Sequence, residues 1–147
     1  MSMKEKGCDE LMAQLRYVAG KVPDNARKVM HRQADKVVKL AQLYAPFDDG
    51  ELEESIHKEV GHEDNNRLAI DIVAGGIVNG VDVDTYAAEM EENYESMKPG
   101  PGTIAKREAN PGVYVGGKFL ERALNDSATE LTDRLLESVI TTTRDIS

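Results

Sequence analysis

The chain has 147 residues, with 18 Lys or Arg against 27 Asp or Glu, so its formal net charge is −9. Hydrophobic residues make up 40% of the sequence, which is enough for one core, and we expect residues 1–147 to form a single domain. No apolar run has the roughly 18 residues of a membrane helix, and none follows the charged start, so neither a membrane span nor a signal peptide is expected. The acidic surplus also argues against a protein that grips nucleic acid, because phosphates are neutralised by Lys and Arg.

Few residues have the pattern of a catalytic or metal site. The single cysteine, Cys8, allows no internal disulfide and no cysteine-ligated zinc, which fits synthesis in a reducing cytoplasm. The histidines His31, His57 and His62 show no paired spacing that would favour a metal. Ser55 lacks the glycine context of a nucleophile elbow, and Cys8 has no recognisable base. We therefore expect no cofactor, no metal and no catalytic residue.

The first third of the chain is predicted to be helical. Residues 1–8 are expected to be a flexible arm. Apolar residues recur at three- and four-residue intervals from 9 to 22, which predicts a short amphipathic helix. Pro23 suits the first turn of a second, long helix. This helix must end near Tyr44, because Pro46 disfavours helical geometry in the residue before it.

A turn and a small sheet are predicted next. The composition of residues 47–50 indicates a turn. Residues 55–60 and 68–73 are rich in strand-forming residues and are separated by a polar segment, 61–66, so we expect an antiparallel hairpin with a rather long loop. Two glycines then precede residues 77–83, a candidate third strand.

A short helix from Tyr86 to about Tyr94 follows and is strongly acidic. Two interpretations remain open for its acids: they form either a solvated helix face or a charged surface that faces a partner or a channel. The acids concerned are Glu89, Glu91, Glu92 and Glu95.

Residues 96–117 contain three of the five prolines and show no hydrophobic period, so we expect an extended loop that becomes ordered against a partner. Its basic residues, centred on Lys106 and Arg107, are either solvated or contacts for an acidic neighbouring subunit. The candidate contacts are Lys98, Lys106, Arg107 and Tyr114. Deletion of residues 98–110 is then expected to leave the domain folded but to block assembly.

The clearest element is the last one, a helical stripe of apolar residues from about Lys118 to Thr142. The predicted fold class is α+β, with a small antiparallel sheet packed against a long N-terminal helix and a long C-terminal helix.

Three local patterns occur in order along the chain: APFDDGELEESI at 45–56, YAAEME at 86–91 and FLERAL at 119–124. In order and spacing they resemble the tail-completion, or head-to-tail joining, proteins of long-tailed bacteriophages. In that family a long helix ends at Ala-Pro before an Asp-Thr-Gly-x-Leu-x-x-Ser-Ile turn, a Tyr-Ala-x-x-x-Glu helix follows, and Pro-Phe-Leu-x-x-Ala-Leu opens the last helix. The resemblance spans residues 11–142. The matched residues that we expect to determine the fold are Pro46, Gly50, Leu52, Ser55, Ile56, Tyr86, Phe119 and Leu120.

The resemblance implies a virion structural protein that forms a homo-oligomeric ring in the phage neck. Such a ring would join the portal or its adaptor to the tail terminator or tail tube protein, and DNA would pass through it. The acids at 89, 91, 92 and 95 would line its lumen, where negative charge repels phosphate. A rival hypothesis is a small cytosolic protein-binding adaptor without catalytic activity. A hydrolase is disfavoured, because no nucleophile and base are paired in the sequence.

Overall fold

The computed structural model describes residues 3–6, 10–18, 24–64 and 67–146, and side chains over 24–61, 63–64 and 67–138. The first described element is strand β1, Met3–Lys6. The expectation of a flexible arm over residues 1–8 is therefore wrong for residues 3–6, which pair with the next strand. Cys8 lies outside the described residues.

A four-stranded antiparallel sheet has the order β1-β2-β4-β3. Strand β2 is Glu10–Val18, β3 is His57–Glu63 and β4 is Arg67–Ala74. The central strand β4 is buried from Leu68 to Ala74, so it forms the middle of the core. The predicted hairpin over residues 55–73 is confirmed, although β3 begins later and its connection to β4 is shorter than expected.

The predicted helix over residues 9–22 is wrong, because residues 10–18 form strand β2. The sequence LMAQLRYV at 11–18 satisfies both a helical period and a period of two, which a short apolar segment often does. Eight consecutive residues of β2 pair with β4, from Leu11 opposite Ala74 to Val18 opposite Arg67. This long-range ladder outweighs a weak local preference for helix.

Two long helices pack together beside the sheet. Helix α1 is Asp24–Tyr44 and helix α5 is Phe119–Ile146. The residues of α1 that face the core recur at helical spacing, as predicted. The predicted α+β class is confirmed. Large side chains with almost no exposure at the centre of the core include Met30, Ile70, Ile72, Phe119 and Leu120.

The turn after α1 contains a short helix that the sequence did not indicate. Helix α2, Glu51–Ser55, begins after Gly50, whose φ of 93° lies in the left-handed region that glycine accepts at little cost. Ser55 closes this helix, because its Oγ donates to the carbonyl oxygen of Leu52 at 2.7 Å. Pro46, Leu52, Ser55 and Ile56 are buried.

The predicted third strand over residues 77–83 is replaced by a small hairpin. Strands β5, Ile77–Val78, and β6, Val81–Asp82, form a separate two-stranded sheet. Asn79 and Gly80 make the turn with φ angles of 51° and 79°. An Asn-Gly pair with two positive φ angles is the preferred sequence for a tight hairpin turn.

The extended loop expected over residues 96–117 is wrong, because it contains a helix. Helix α3 is Asp84–Asn93, a 3₁₀ turn covers Tyr94–Ser96, and helix α4 is Pro101–Ala109. Proline occupies the first turn of α4, where its missing N–H is not needed, and Lys106 and Arg107 lie in the last turn. In the described part of the chain no helix is both long and apolar enough to span a membrane.

Candidate assembly surfaces

Helix α4 is fastened to the end of α1 by Lys106. Its Nζ donates to the carbonyl oxygens of Gln42 at 2.6 Å and Ala45 at 2.8 Å, and it pairs with the Glu53 carboxylate. A cation that binds the last carbonyls of a helix satisfies groups with no partner inside the helix and complements the helix dipole. Lys106 was predicted to contact a neighbouring subunit. Its side chain is only 12% exposed and is used inside the protomer, so that prediction is corrected.

A second group of contacts fixes the segment between α4 and α5. The guanidinium of Arg122 lies 4.8 Å from the centre of the Tyr44 ring and 5.0 Å from that of Tyr114. It donates to the carbonyl oxygens of Tyr114 at 2.9 Å and Gly117 at 3.0 Å. The Arg107 guanidinium also lies 5.0 Å from the centre of the Tyr114 ring, and its Nε donates to the carbonyl oxygen of Val115. The candidate contacts Arg107 and Tyr114 therefore already have ordered partners within the chain.

The buried carboxylate of Glu91 holds the beginning of α5. Glu91 is 1% exposed and accepts the backbone N–H groups of Leu120 at 2.9 Å and Glu121 at 3.3 Å. Burial raises the pKa of Glu91, and the two backbone hydrogen bonds oppose this rise. The prediction that Glu91 faces a lumen is corrected, because a buried carboxylate that caps a helix is not part of a surface. Its role is to attach α3 to α5.

The other three predicted acids of α3 and the 3₁₀ turn are exposed. Glu89 accepts from Asn93 at 3.1 Å, and Glu92 pairs with Lys118. Glu95 accepts the Tyr114 hydroxyl at 2.7 Å, and this hydrogen bond lowers the pKa of Glu95. Glu89 and Glu92 of α3 and Glu95 of the 3₁₀ turn form a negative outer surface, which we call the acidic surface. Lys98 is exposed and has no ion pair within the described residues.

We define the hairpin surface as Asp48, Asp49 and Val81, of which Val81 is 44% exposed. Because Val78 pairs with Val81 and Ile77 pairs with Asp82, Ile77 lies on the opposite face of the hairpin and is not part of this surface. A cleft of about 280 Å³ lies between the hairpin and the turn after α1, with Val81, Asp48, Asp49 and Tyr86 in its wall. Burial raises the pKa of Tyr86, and the carboxylates of residues 48, 51 and 49 raise it further. The cleft is thus negative around a half-buried phenol.

We define the α1–α5 groove by its charged lining residues Lys28, Arg32 and Arg134, with Glu137 as its one acid. It lies between the first turns of α1 and the last described turns of α5, has a volume of about 280 Å³, and has Val29 in its wall. Arg134 approaches Glu137 at 3.5 Å. Within the described residues, Lys28 and Arg32 are exposed and have no ion pair, so the groove carries a positive charge.

Neither surface was predicted from the sequence as a functional site. Lys28 and Arg32 lie on the polar side of α1, but the helix that completes the groove comes from residues about 100 positions later. The position of Val81 in the wall of the cleft follows from the replacement of a strand by a tight hairpin. The dipeptide Asn79-Gly80 was the local signal that could have revealed that hairpin.

The described residues contain no group of three or more His, Cys, Asp or Glu side chains arranged to hold a metal ion. The hairpin surface and the α1–α5 groove offer apolar side chains and unpaired charges of opposite sign. Charged and apolar residues left without internal partners are typical of surfaces that bind another protein.

A family model matches residues 9–145, which is nearly the whole chain. The family is described as bacteriophage HK97-gp10 and is assigned as a tail component. No curated protein and no solved structure matches the chain significantly. The resemblance to phage proteins seen in the sequence is thus confirmed at the level of the family. The chain belongs to the HK97-gp10-like family of bacteriophage tail components.

Proposed function

We propose that this chain forms a homo-oligomeric ring in the neck of a phage particle and joins the head to the tail. The observation that carries this proposal is the family match over residues 9–145, which assigns a structural role in the virion. On this proposal one face of the ring contacts the portal or its adaptor, and the other contacts the tail terminator or tail tube protein. The protein acts by binding its neighbours and not by catalysis.

The negative charge of the chain suits a passage for DNA. The net charge is −9, and Glu89 and Glu92 of α3 together with Glu95 of the 3₁₀ turn are exposed. A lumen with this acidic surface turned inward repels phosphate and does not hold the genome during its transit. Glu91 takes no part in this, because its carboxylate is buried.

The joining role is tested in a phage whose gene for this chain carries a stop codon. We expect the lysate to contain filled heads and complete tails that are not joined, and purified protein added to the lysate to restore joined particles. Electron microscopy counts both species. Normal joined particles without the protein, or heads without any tails, would each overturn the joining role.

The orientation of the acids is tested by a reconstruction of the neck. We expect density for a ring with α3 facing the central channel. A ring with α3 on its outer circumference and Lys or Arg side chains in the channel would contradict the proposed lumen while leaving the joining role intact.

A further inference from the structure

The β5–β6 hairpin is too small to be explained by its own stability. Each strand has two residues, and an isolated two-stranded hairpin is marginal in water. Asp84 accepts the backbone N–H of Gly76 at 2.6 Å at the base of the hairpin, and Asn79 in its turn donates to Glu54 at 3.4 Å, so both ends are anchored. Val81 nevertheless remains 44% exposed to water.

The turn beside the hairpin adds charge to this apolar surface. Asp48 and Asp49 are exposed and, within the described residues, have no hydrogen bond or ion pair. Both lie in the wall of the cleft that contains Val81. The hairpin surface therefore fits a partner that has positive charge beside an apolar contact.

The α1–α5 groove offers the complementary features on the same molecule. Lys28 and Arg32 supply unpaired positive charge, and Val29 supplies an apolar wall between them. The groove begins at the first turns of α1, whereas the hairpin surface lies beyond its last turn. A helix of 21 residues is about 31 Å long, so the two surfaces are at opposite ends of the protomer and can be occupied at the same time.

We infer that the hairpin surface of one copy docks into the α1–α5 groove of a second copy. In this contact Asp48 and Asp49 face Lys28 and Arg32 of the neighbour, and Val81 covers the apolar wall of its groove. Because two different surfaces meet, each copy retains one free surface of each kind, and repetition produces a closed ring or an open filament. Pairing of two hairpin surfaces is disfavoured, since like charges would face each other. The inference rests on the proposed ring and names its subunit contact.

Two charge-reversal variants test this contact. Variant A is Asp48→Lys with Asp49→Lys, and variant B is Lys28→Glu with Arg32→Glu. The four positions are exposed, so we expect both variants to fold, as checked by circular dichroism. Self-association is measured by sedimentation over a wide concentration range. Each variant alone should associate at least about 100-fold more weakly than the wild type, because like charges then face each other at every contact.

Mixing the variants separates this contact from other modes of association. In an equal mixture the groove of A meets the hairpin surface of B with natural charges, and the hairpin surface of A meets the groove of B with both charges reversed. Opposite charges then face each other at every contact, so A and B should alternate and assemble again. A chain that carries all four substitutions should assemble again. If A does not fold, Asp48→Asn with Asp49→Asn replaces it and should show a smaller loss of the same sign.

Three outcomes would overturn the inference. The first is that both variants assemble as strongly as the wild type. The second is that the mixture of A and B stays monomeric. The third is a wild-type chain that does not associate at any concentration. None of these decides the joining role, which is tested by the stop-codon phage. Conversely, a chain that assembles as inferred but fails to join heads to tails would refute the joining role alone.

Discussion

Two regions of the molecule differ in whether their charged side chains have partners within the chain. In the contact between the end of α1 and α4, which we call the seam, Lys106 has three oxygen partners. At the hairpin surface and the α1–α5 groove, Asp48, Asp49, Lys28 and Arg32 have no ion pair within the described residues. The seam uses its charges to hold the fold together. The two surfaces leave their charges available for another molecule.

The comparison changes which residues are expected to matter for assembly. A basic residue in a Pro- and Gly-rich segment suggested a contact with a neighbour, yet the side chain of Lys106 is only 12% exposed. Removal of residues 98–110 would take away Lys106 and also Thr103, which exchanges two hydrogen bonds with the backbone of Phe47. The structure therefore argues against the expectation that this deletion leaves the fold intact.

The largest effect is expected from Lys106→Met, which keeps the length of the side chain and removes its charge. Two carbonyl oxygens and the Glu53 carboxylate then lose their donor, so we expect the free energy of unfolding to fall by about 3 kcal/mol. Urea denaturation followed by circular dichroism measures this. The control is Lys98→Met, at an exposed lysine without an ion pair, where the change should stay within about 0.5 kcal/mol. Equal effects of the two substitutions would show that the seam does not stabilise the fold.

A smaller loss is expected from Gly102→Ala. A Cβ atom at this position would lie 2.6 Å from the carbonyl oxygen of Phe47, closer than atoms can approach without a shift of the backbone. Alanine normally stabilises a helix, but here the contact between α4 and the end of α1 must open, which costs about 2 kcal/mol. Gly100→Ala is the matched control, because nothing lies within 4 Å of its Cβ. Thermal melts in which both variants match the wild type would contradict the tight seam.

The sequence predicted secondary structure correctly where the hydrophobic pattern is long and fits only one period. Helices α1 and α5 have 21 and 28 residues, and their apolar stripes predicted both of them. Strand β2 was misassigned, because its short apolar pattern fits two periods and only the ladder with β4 decides between them. Helix α4 was missed because it buries only Thr103, so it has no hydrophobic stripe to detect. Its indicators were the proline at the start and the basic residues at the end.

The candidate surfaces were harder to predict than the fold, for a physical reason. Whether a charged residue is paired depends on contacts between distant parts of the chain, which the sequence does not display. Glu91 and Glu92 are adjacent and both looked like surface acids, yet one caps α5 from the interior and the other is exposed. The helical spacing of the acidic run could have indicated that one of its members points inward, but not what it binds.

The contact between α3 and α5 should show a specific pH dependence. Because the pKa of Glu91 is raised in the folded chain, its contribution to stability is fully present at acid pH and is lost as pH rises from the ordinary carboxyl range through the raised value. Glu91→Gln retains an acceptor for Leu120 but does not titrate. Its stability relative to the wild type should therefore increase across this window, by at most about 1.4 kcal/mol per pH unit.

This comparison is made by chemical denaturation at a series of pH values. Glu92→Gln removes an exposed carboxylate from the same helix and controls for the loss of one negative charge. Parallel curves for Glu91→Gln and the wild type would mean that the buried carboxyl does not titrate differently in the folded and unfolded chains.

The smallest effect on stability, and the sharpest contrast with the contact between α1 and α4, is expected from Val81→Thr. Threonine keeps the branched shape that suits a strand, and the valine is 44% exposed, so the free energy of unfolding should change by no more than about 0.5 kcal/mol. Self-association, measured by sedimentation, should nevertheless weaken by about tenfold, because the neighbour no longer covers an apolar side chain there. Ile104→Thr, at an isoleucine that is 45% exposed on α4, should leave association unchanged. If Ile104→Thr weakens association and Val81→Thr does not, the copies meet through α4 and the roles assigned to the two regions are reversed.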